Sequence, residues 1–142
     1  NYVMVTYSGA ATGVNSADLA AYLASFQMFV NGVNAVSQVQ VIGNGYDGDV
    51  KAEQFKIGRY TTATPQAFDG KVNQIGIWDT DESANVATIY NGGATQDLSQ
   101  LASAPVHYYE IENSVTTISD SIGNADLTGY NFATSDLITD TP

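Results

Sequence analysis

Two glutamates on alternate positions of a predicted strand are the first residues whose spacing could support catalysis. The strand reads "HYYEIE", and its Glu110 and Glu112 are two residues apart, so both side chains point to one face. A retaining glycosidase needs a nucleophile and an acid whose carboxyl groups are about 5–5.5 Å apart, which this spacing allows. The alternative is a charged strand edge that discourages pairing between sheets, and we favour this alternative.

His107 is the only histidine, and the chain contains no cysteine. These counts exclude thiolate zinc sites, disulfides and thiol nucleophiles, and no serine lies in a triad-like setting. Alternation along the strand places His107 on the same side as Tyr109 and Ile111. We therefore expect a hydrogen-bonded structural histidine rather than a catalytic or metal-binding one.

A glycine-rich acidic segment, "GNGYDGD", offers oxygen ligands at irregular spacing: Asn44, Asp47 and Asp49. Calcium takes six to eight such oxygens, but the spacing is not that of an EF-hand, and no distant bidentate glutamate can be assigned. A solvated hairpin loop explains the same composition. Calcium is therefore a hypothesis for this segment, with the plain loop as its alternative.

Several tyrosines lie in or beside predicted loops, where their rings could stack on sugars: Tyr46, Tyr60, Tyr108 and Tyr130. Tyrosine is equally suited to the edge of a β-sandwich, because its hydroxyl reaches water while its ring is buried. The spacing does not distinguish the two roles. A glycan-binding surface is thus a second hypothesis.

Composition restricts the classes of partner. The 142 residues carry 15 acidic and 4 basic side chains, a net charge of −11, and only 13% of the residues are charged, compared with about 25% in typical domains. Too few cations are present to neutralise a phosphate backbone, so nucleic-acid binding is not expected. No apolar run is long enough for a membrane-spanning helix, so membrane insertion is not expected either.

Short alternating strands separated by Gly and Asn turns dominate the pattern. The strongest hairpin signal is Asn31-Gly32, because a type I′ turn needs a positive φ at both central residues. The predicted strands cover residues 2–7, about 23–30, 33–42, 53–60, 72–78 and 107–112, with weaker ones near 116–118, 127–130 and the tail. Seven or eight such strands predict an all-β fold, an antiparallel β-sandwich of the jelly-roll type, with a barrel as the less favoured alternative.

One short helix is predicted directly after Trp78, the only tryptophan. Asp79 lies three residues before Glu82, a capping-box spacing that favours a helix beginning there. The predicted helix ends at a pair of glycines and has one apolar face, formed by Val86, Ile89 and Tyr90.

The order of five segments resembles laminin-G-like, concanavalin A-like jelly rolls. These are "NYVMVTYSG", "FQMFVNGV", "FKIGR", "FDGKVNQIGIW" and "DTDESANVATIYNGG", within residues 1–93. Asn73-Gln74 stands where the family has an acidic pair, so a site built on those acids is not expected. The resemblance implies that the strand of Trp78 is one of the last in the sandwich, with the short helix across its end. A large ring there can cover the open sheet edge, a role that we favour over stacking on a sugar. The resemblance also implies that the first strands of the jelly roll precede this chain.

Residues 94–142 resemble tails attached to such domains in bacteriophage virion proteins, with an aromatic strand, the turn "DSIGN" and the closing "DTP". Together the two resemblances imply one concanavalin A-like domain over 1–142, part of a longer polypeptide, on a virion surface or outside the cell. Its expected role is structural, assembly or adhesion, without enzymatic activity, because the third acid and cleft tryptophans of related hydrolases are missing. The expected partners are other structural chains, in a homo-oligomer or larger assembly. The alternative is a carbohydrate-binding lectin, with or without calcium.

Overall fold

The computed structural model describes residues 2–7, 26–35, 70–111, 115–129 and 133–137. Within these ranges the chain forms small antiparallel sheets, one short α-helix and several 3-10 turns. The strands are β1 (Val3–Tyr7), β2 (Phe26–Val30), β3 (Val33–Asn34), β4 (Gln74–Ile77), β5 (His107–Glu110), β6 (Thr117–Ile118) and β7 (Leu127–Thr128). The helix, α1, is Val86–Tyr90, and the 3-10 turns are Ser83–Asn85, Asn91–Gly93, Leu98–Gln100 and Thr134–Asp136.

The first sheet has the order β1-β2-β3. Asn31 and Gly32 join β2 to β3 and both have positive φ, 50° and 78°, so the predicted hairpin turn is confirmed. The side chains of β1 alternate between exposed and buried, with Met4 and Thr6 pointing inward. This sheet therefore has one buried and one outward face.

Two further sheets each have two strands. β4 pairs antiparallel with β5, and β6 pairs antiparallel with β7. An isolated bridge between Tyr109 and Asp120 joins β5 to the segment that follows β6. β5 is thus flanked on both edges, by β4 and by the segment at Asp120.

Helix α1 begins later than the sequence predicted. The residue that precedes the first 3-10 turn is Glu82, and its side chain does not cap the turn. Instead, the Asp81 carboxylate accepts a hydrogen bond from the backbone N–H of Ser83 at 3.0 Å. The predicted N-cap at Asp79 is therefore wrong. The predicted C-terminal end is close to the observed one, because Asn91 adopts a left-handed conformation directly after Tyr90.

The core lies between the inner face of the first sheet, α1 and β5. Its buried members are Met4, Phe29, Val86, Ile89, Leu98 and Tyr108, and Tyr2, Trp78 and Leu101 pack against them. As predicted, the helix contributes Val86 and Ile89 to the core. The Trp78 ring packs against the core, and its predicted position over an open sheet edge stays a prediction. Removal of these side chains from water is the main stabilising contribution to the fold.

At the level of class, the prediction of an antiparallel all-β chain with one short helix agrees with the structure. Within the described ranges, no helix has the length and apolar character required to cross a bilayer.

Candidate functional site

A buried polar site of the described chain is built around Asp120, which follows β6 and lies beside β5. The Asp120 side chain is fully buried, with 0% exposure, and its Oδ2 lies 2.6 Å from Nδ1 of His107, which is 34% exposed. The backbone N–H of Ser121 donates to the carbonyl oxygen of Tyr108 at 2.8 Å. The turn after β6 is therefore attached to β5 by both backbone and side-chain bonds.

Backbone N–H groups satisfy the remaining acceptor capacity of the Asp120 carboxylate. Its Oδ1 accepts from Tyr108 at 3.1 Å, Gly123 at 3.0 Å and Ile122 at 3.3 Å. Its Oδ2 accepts from Ala125 at 3.2 Å in addition to the His107 contact. One carboxylate thus binds donors from β5 and from the turn 122–125, and it holds the two segments together.

These bonds determine the charge state of Asp120. Burial alone would raise its pKa, but the hydrogen bonds from His107 and from backbone N–H groups outweigh burial and hold the pKa well below its usual range. Asp120 is therefore ionised at neutral pH and does not act as a proton donor there.

Tyr109 and Asp126 complete the site. The Tyr109 hydroxyl donates to the carbonyl oxygen of Ala125 at 2.9 Å, and the backbone N–H of Asp120 donates to Asp126 Oδ1 at 2.9 Å. Burial, followed by the charges of Asp120 and Asp126, raises the pKa of Tyr109. Its hydroxyl stays protonated and remains a donor to the turn.

The geometry favours a structural role over proton transfer. Within the described ranges, Asp120 is the only hydrogen-bond partner of the His107 side chain, and no serine or threonine hydroxyl approaches it as a nucleophile would. As expected, the His107 ring is hydrogen-bonded; that it is neither catalytic nor metal-binding stays a prediction. We call the set Asp120, His107, Tyr109 and the turn 121–126 the aspartate clamp.

Gly123 is essential to the aspartate clamp, because no side chain fits at its position. A Cβ atom built there would lie 2.5 Å from Asp120 Oδ2, 2.6 Å from His107 Nδ1 and 3.0 Å from the backbone oxygen of Val106. We therefore expect Gly123→Ala to lower the free energy of unfolding by about 1–3 kcal/mol, as overpacking does. Urea denaturation checks this, with Ala102→Gly, at an exposed residue outside the aspartate clamp, as the control. A loss no greater than that of the control would contradict the prediction.

A second buried acid, Glu82, anchors the segment between β4 and α1. Its carboxylate accepts hydrogen bonds from the hydroxyls of Thr80 at 2.7 Å and Ser103 at 2.6 Å, and from the Asn85 amide at 2.6 Å. These three bonds, that from Ser103 first, lower its pKa against the effect of burial. The indole Nε1–H of Trp78 donates to the backbone oxygen of Ser103 at 2.9 Å. Trp78 and Glu82 therefore hold the same loop.

The two sequence-predicted site residues on β5 have different environments. Glu110 is exposed, and its carboxylate accepts a hydrogen bond from the Tyr108 hydroxyl at 3.1 Å. Tyr108 is only 1% exposed, so the prediction that it offers an exposed ring for stacking on a sugar is wrong. The reason is that β5 is covered on both faces, since Tyr108 points into the core and Tyr109 points under the turn 121–126.

The other predicted site residues lie outside the described ranges: Asn44, Asp47 and Asp49 for calcium, Tyr46, Tyr60 and Tyr130 for stacking, and Glu112 of the carboxylate pair. The calcium and glycan hypotheses therefore stay predictions. Within the described ranges, no group of three or more His, Cys, Asp or Glu side chains could hold a metal ion.

The outward side of the first sheet is an apolar surface that the sequence analysis did not single out. Of the seven large hydrophobic side chains that are exposed in the described chain, five lie on this sheet, with exposed fractions from 37% to 69%. The strand register places them beside one another, and the Tyr7 and Phe26 rings stack with centroids 4.6 Å apart. We call this surface the apolar face; it comprises Val3, Val5, Tyr7, Phe26, Met28, Val30 and Val33.

A sequence signal for the apolar face existed. In "VMVTY" apolar residues occupy both faces of the strand, which is typical of strands covered on both sides. Asp120 had a weaker signal, an aspartate opening a Ser/Gly/Asn turn, which is also what a solvated turn looks like.

No protein-family model, no curated protein and no solved structure matches this chain. Function is therefore inferred from the aspartate clamp, the Glu82 bonds and the apolar face.

Proposed function

We propose that the chain is a non-enzymatic structural and assembly module of a virion or extracellular protein, built as a jelly-roll β-sandwich, which associates with further copies of itself through the apolar face. The observation that carries this proposal is the contiguous surface of exposed and half-buried aliphatic and aromatic side chains on β1, β2 and β3. Large exposed apolar patches mark interaction surfaces, because leaving them in water is unfavourable.

The charge distribution favours a second copy as the occupant. Residues 2–7 and 26–35 contain no charged side chain, although the whole chain has a net charge of −11. A basic partner would find no carboxylate to pair with on the apolar face, and two acidic copies can approach most closely where neither carries charge. Two copies related by a twofold axis would place the same uncharged surface on both sides.

Sheet geometry supports packing of face against face. Two sheets stack about 10 Å apart when the side chains of their facing surfaces interdigitate. The inner face of the first sheet already packs on the core through Met4 and Phe29. Association would cover the other face, so that β1 and β2 become buried on both sides, as their apolar sequences predict.

The buried acids support the absence of catalysis. Asp120 and Glu82 are both saturated with hydrogen-bond donors, and their lowered pKa values make them poor general acids at neutral pH. Both hold loops together in the described chain. Of the carboxylate pair considered for glycoside hydrolysis, the described ranges include only Glu110. Its carboxylate accepts a hydrogen bond from the Tyr108 hydroxyl.

Replacement of Val5, which is 63% exposed at the middle of β1, tests the association. We expect the wild-type chain to sediment as a dimer or larger oligomer. Val5→Lys is expected to weaken association at least ~30-fold, because a central interface position typically contributes about 2 kcal/mol or more. Analytical ultracentrifugation over a concentration series measures the change.

Val106→Lys is the matched control, because Val106 is also an exposed valine but lies outside the apolar face. It should leave the dissociation constant unchanged, and circular dichroism should show that both variants keep their strands. A wild-type chain that stays monomeric throughout the series, or equal effects of the two variants, would contradict the proposal.

A further inference from the structure

Two Asn-Gly steps of the described chain have the same backbone conformation but different surroundings. Asn31 precedes Gly32 with φ of 50°, and Asn91 precedes Gly92 with φ of 48°. At such a step the glycine nitrogen can attack the asparagine side chain, because glycine has no Cβ to block the approach. We propose that Asn91 is a site of spontaneous deamidation in the folded protein and that Asn31 is protected from it.

The reaction is a hydrolysis that proceeds through a ring. The Gly92 nitrogen loses its proton to hydroxide and bonds to Cγ of Asn91. The bond from Cγ to the side-chain nitrogen then breaks, and that nitrogen takes a proton from water and leaves as ammonia, which restores the hydroxide. Water then opens the five-membered succinimide at either carbonyl and yields aspartate or isoaspartate. The net change consumes one water and releases one ammonia, without any oxidant or metal.

The surroundings of Asn91 do not block this reaction. Asn91 is exposed and ends α1, a helix of only five residues. Its side-chain amide makes a long hydrogen bond of 3.3 Å to the Ala94 oxygen. Its backbone N–H donates to the Ala87 oxygen within the last turn of α1, and its backbone oxygen accepts from the Ala94 N–H at 3.1 Å. No atom lies within 4 Å of the Cβ position at Gly92. Short helix ends open with small free energies, which allows the backbone rotation that brings the Gly92 nitrogen to Cγ.

The surroundings of Asn31 oppose the same rotation. Its Oδ1 accepts from the backbone N–H of Tyr2 at 2.9 Å, and its own N–H donates to the Tyr2 oxygen at 2.9 Å. The Tyr90 ring covers Gly32, with a ring carbon 2.7 Å from the Cβ position there. Attack at Asn31 therefore requires the loss of both bonds to Tyr2 and of the ring contact.

Deamidation at position 91 would affect the fold as well as the side chain. A carboxylate cannot donate to the Ala94 oxygen, and a negative charge at the C-terminal end of a helix is unfavourable. The neighbouring Tyr90 packs on Gly32 and lies 5.8 Å, ring centroid to ring centroid, from Tyr2. The modification is therefore expected to loosen the attachment of α1 to the hairpin.

Incubation at mildly alkaline pH, followed by tandem mass spectrometry of proteolytic peptides, measures the rate at each site. In the folded protein we expect Asn91 to deamidate at least ~10-fold faster than Asn31, which corresponds to a difference of about 1.4 kcal/mol in local opening free energy. In concentrated urea the two rates should converge, because both steps are then Asn-Gly in an unfolded chain. Asn44-Gly45, which lies outside the described ranges, is followed as a separate peptide.

Asn91→Gly is the control variant, since glycine keeps the left-handed conformation and removes the reactive amide. It should abolish the deamidation signal of the proteolytic peptide 83–97, which contains position 91. It should leave the rate of deamidation at Asn31 unchanged. In the folded protein, an Asn31 rate equal to or above that of Asn91 would overturn the proposal. Deamidation of Asn91 that occurs only after the protein unfolds would also overturn the proposal.

Discussion

Replacement of Asp120 by alanine is expected to lower the free energy of unfolding by about 3–5 kcal/mol, the cost typical of removing one partner from a buried charged network. The variant would leave five donors of the aspartate clamp without their acceptor: the His107 ring and the backbone N–H groups of Tyr108, Ile122, Gly123 and Ala125. Each buried donor without an acceptor costs about 1–3 kcal/mol unless water reaches it. Urea denaturation followed by circular dichroism measures the loss.

Asp79→Ala is the matched control, because Asp79 is an exposed aspartate outside the aspartate clamp. Its substitution should change stability by no more than about 0.5 kcal/mol, as is usual for surface sites. The loss of stability for Asp120→Asn should lie between the other two losses. The amide oxygen of asparagine still accepts hydrogen bonds from the turn, but its NH2 group faces another hydrogen-bond donor. Equal losses of unfolding free energy for Asp79→Ala and Asp120→Ala would show that the Asp120 carboxylate does not stabilise the contact between β5 and the turn.

The same carboxylate determines how stability depends on pH. The pKa of Asp120 is lowered in the folded state, so in acid the unfolded chain takes up a proton at this residue first. Its contribution is therefore fully present above the ordinary aspartate pKa of about 3.9 and is lost as the pH falls below it. The Asp120→Asn variant should show a shallower loss of stability in acid than the wild type.

Local signals in the sequence predicted the turns and the inner face of the helix. Asn31-Gly32 specifies its own hairpin, because the positive φ values are a property of those two residues. The spacing of Val86 and Ile89 likewise specifies which side of α1 is buried. Both features are determined within a few residues of chain, which is why a pattern could find them.

The features that the sequence analysis missed depend on residues far apart in the chain. The helix start was misplaced because Ser103, 21 residues away, bonds the Glu82 carboxylate that the capping box would have used. The environment of Asp120 depends on β5, 12 and 13 residues earlier. No local spacing identifies which strand will lie beside such a turn, so an aspartate that organises two segments resembles an ordinary turn residue in sequence.

Tyr108→Ala is expected to cost about 3–5 kcal/mol, the range typical for loss of a large buried aromatic side chain. The ring is 1% exposed, packs with Met4, Phe29 and Leu98 and is one of the two most completely buried large side chains described. The substitution leaves a cavity where the first sheet, the Leu98 turn and β5 meet. Thermal and urea denaturation both measure the loss.

Tyr108→Phe separates the ring from its hydroxyl. The hydroxyl accepts from the Gln74 amide at 2.8 Å and donates to Glu110 at 3.1 Å, and burial, followed by the Glu110 hydrogen bond and charge, raises the pKa of Tyr108. We expect this variant to lose only about 0.5–1.5 kcal/mol of unfolding free energy, because the ring packing stays and water can hydrate the partly exposed hydrogen-bond partners.

A ring that served mainly to present its hydroxyl to a ligand would give the opposite result: both variants would abolish binding, and neither would lower stability much. A large loss for alanine with a small loss for phenylalanine would identify Tyr108 as a core residue that joins the sheets.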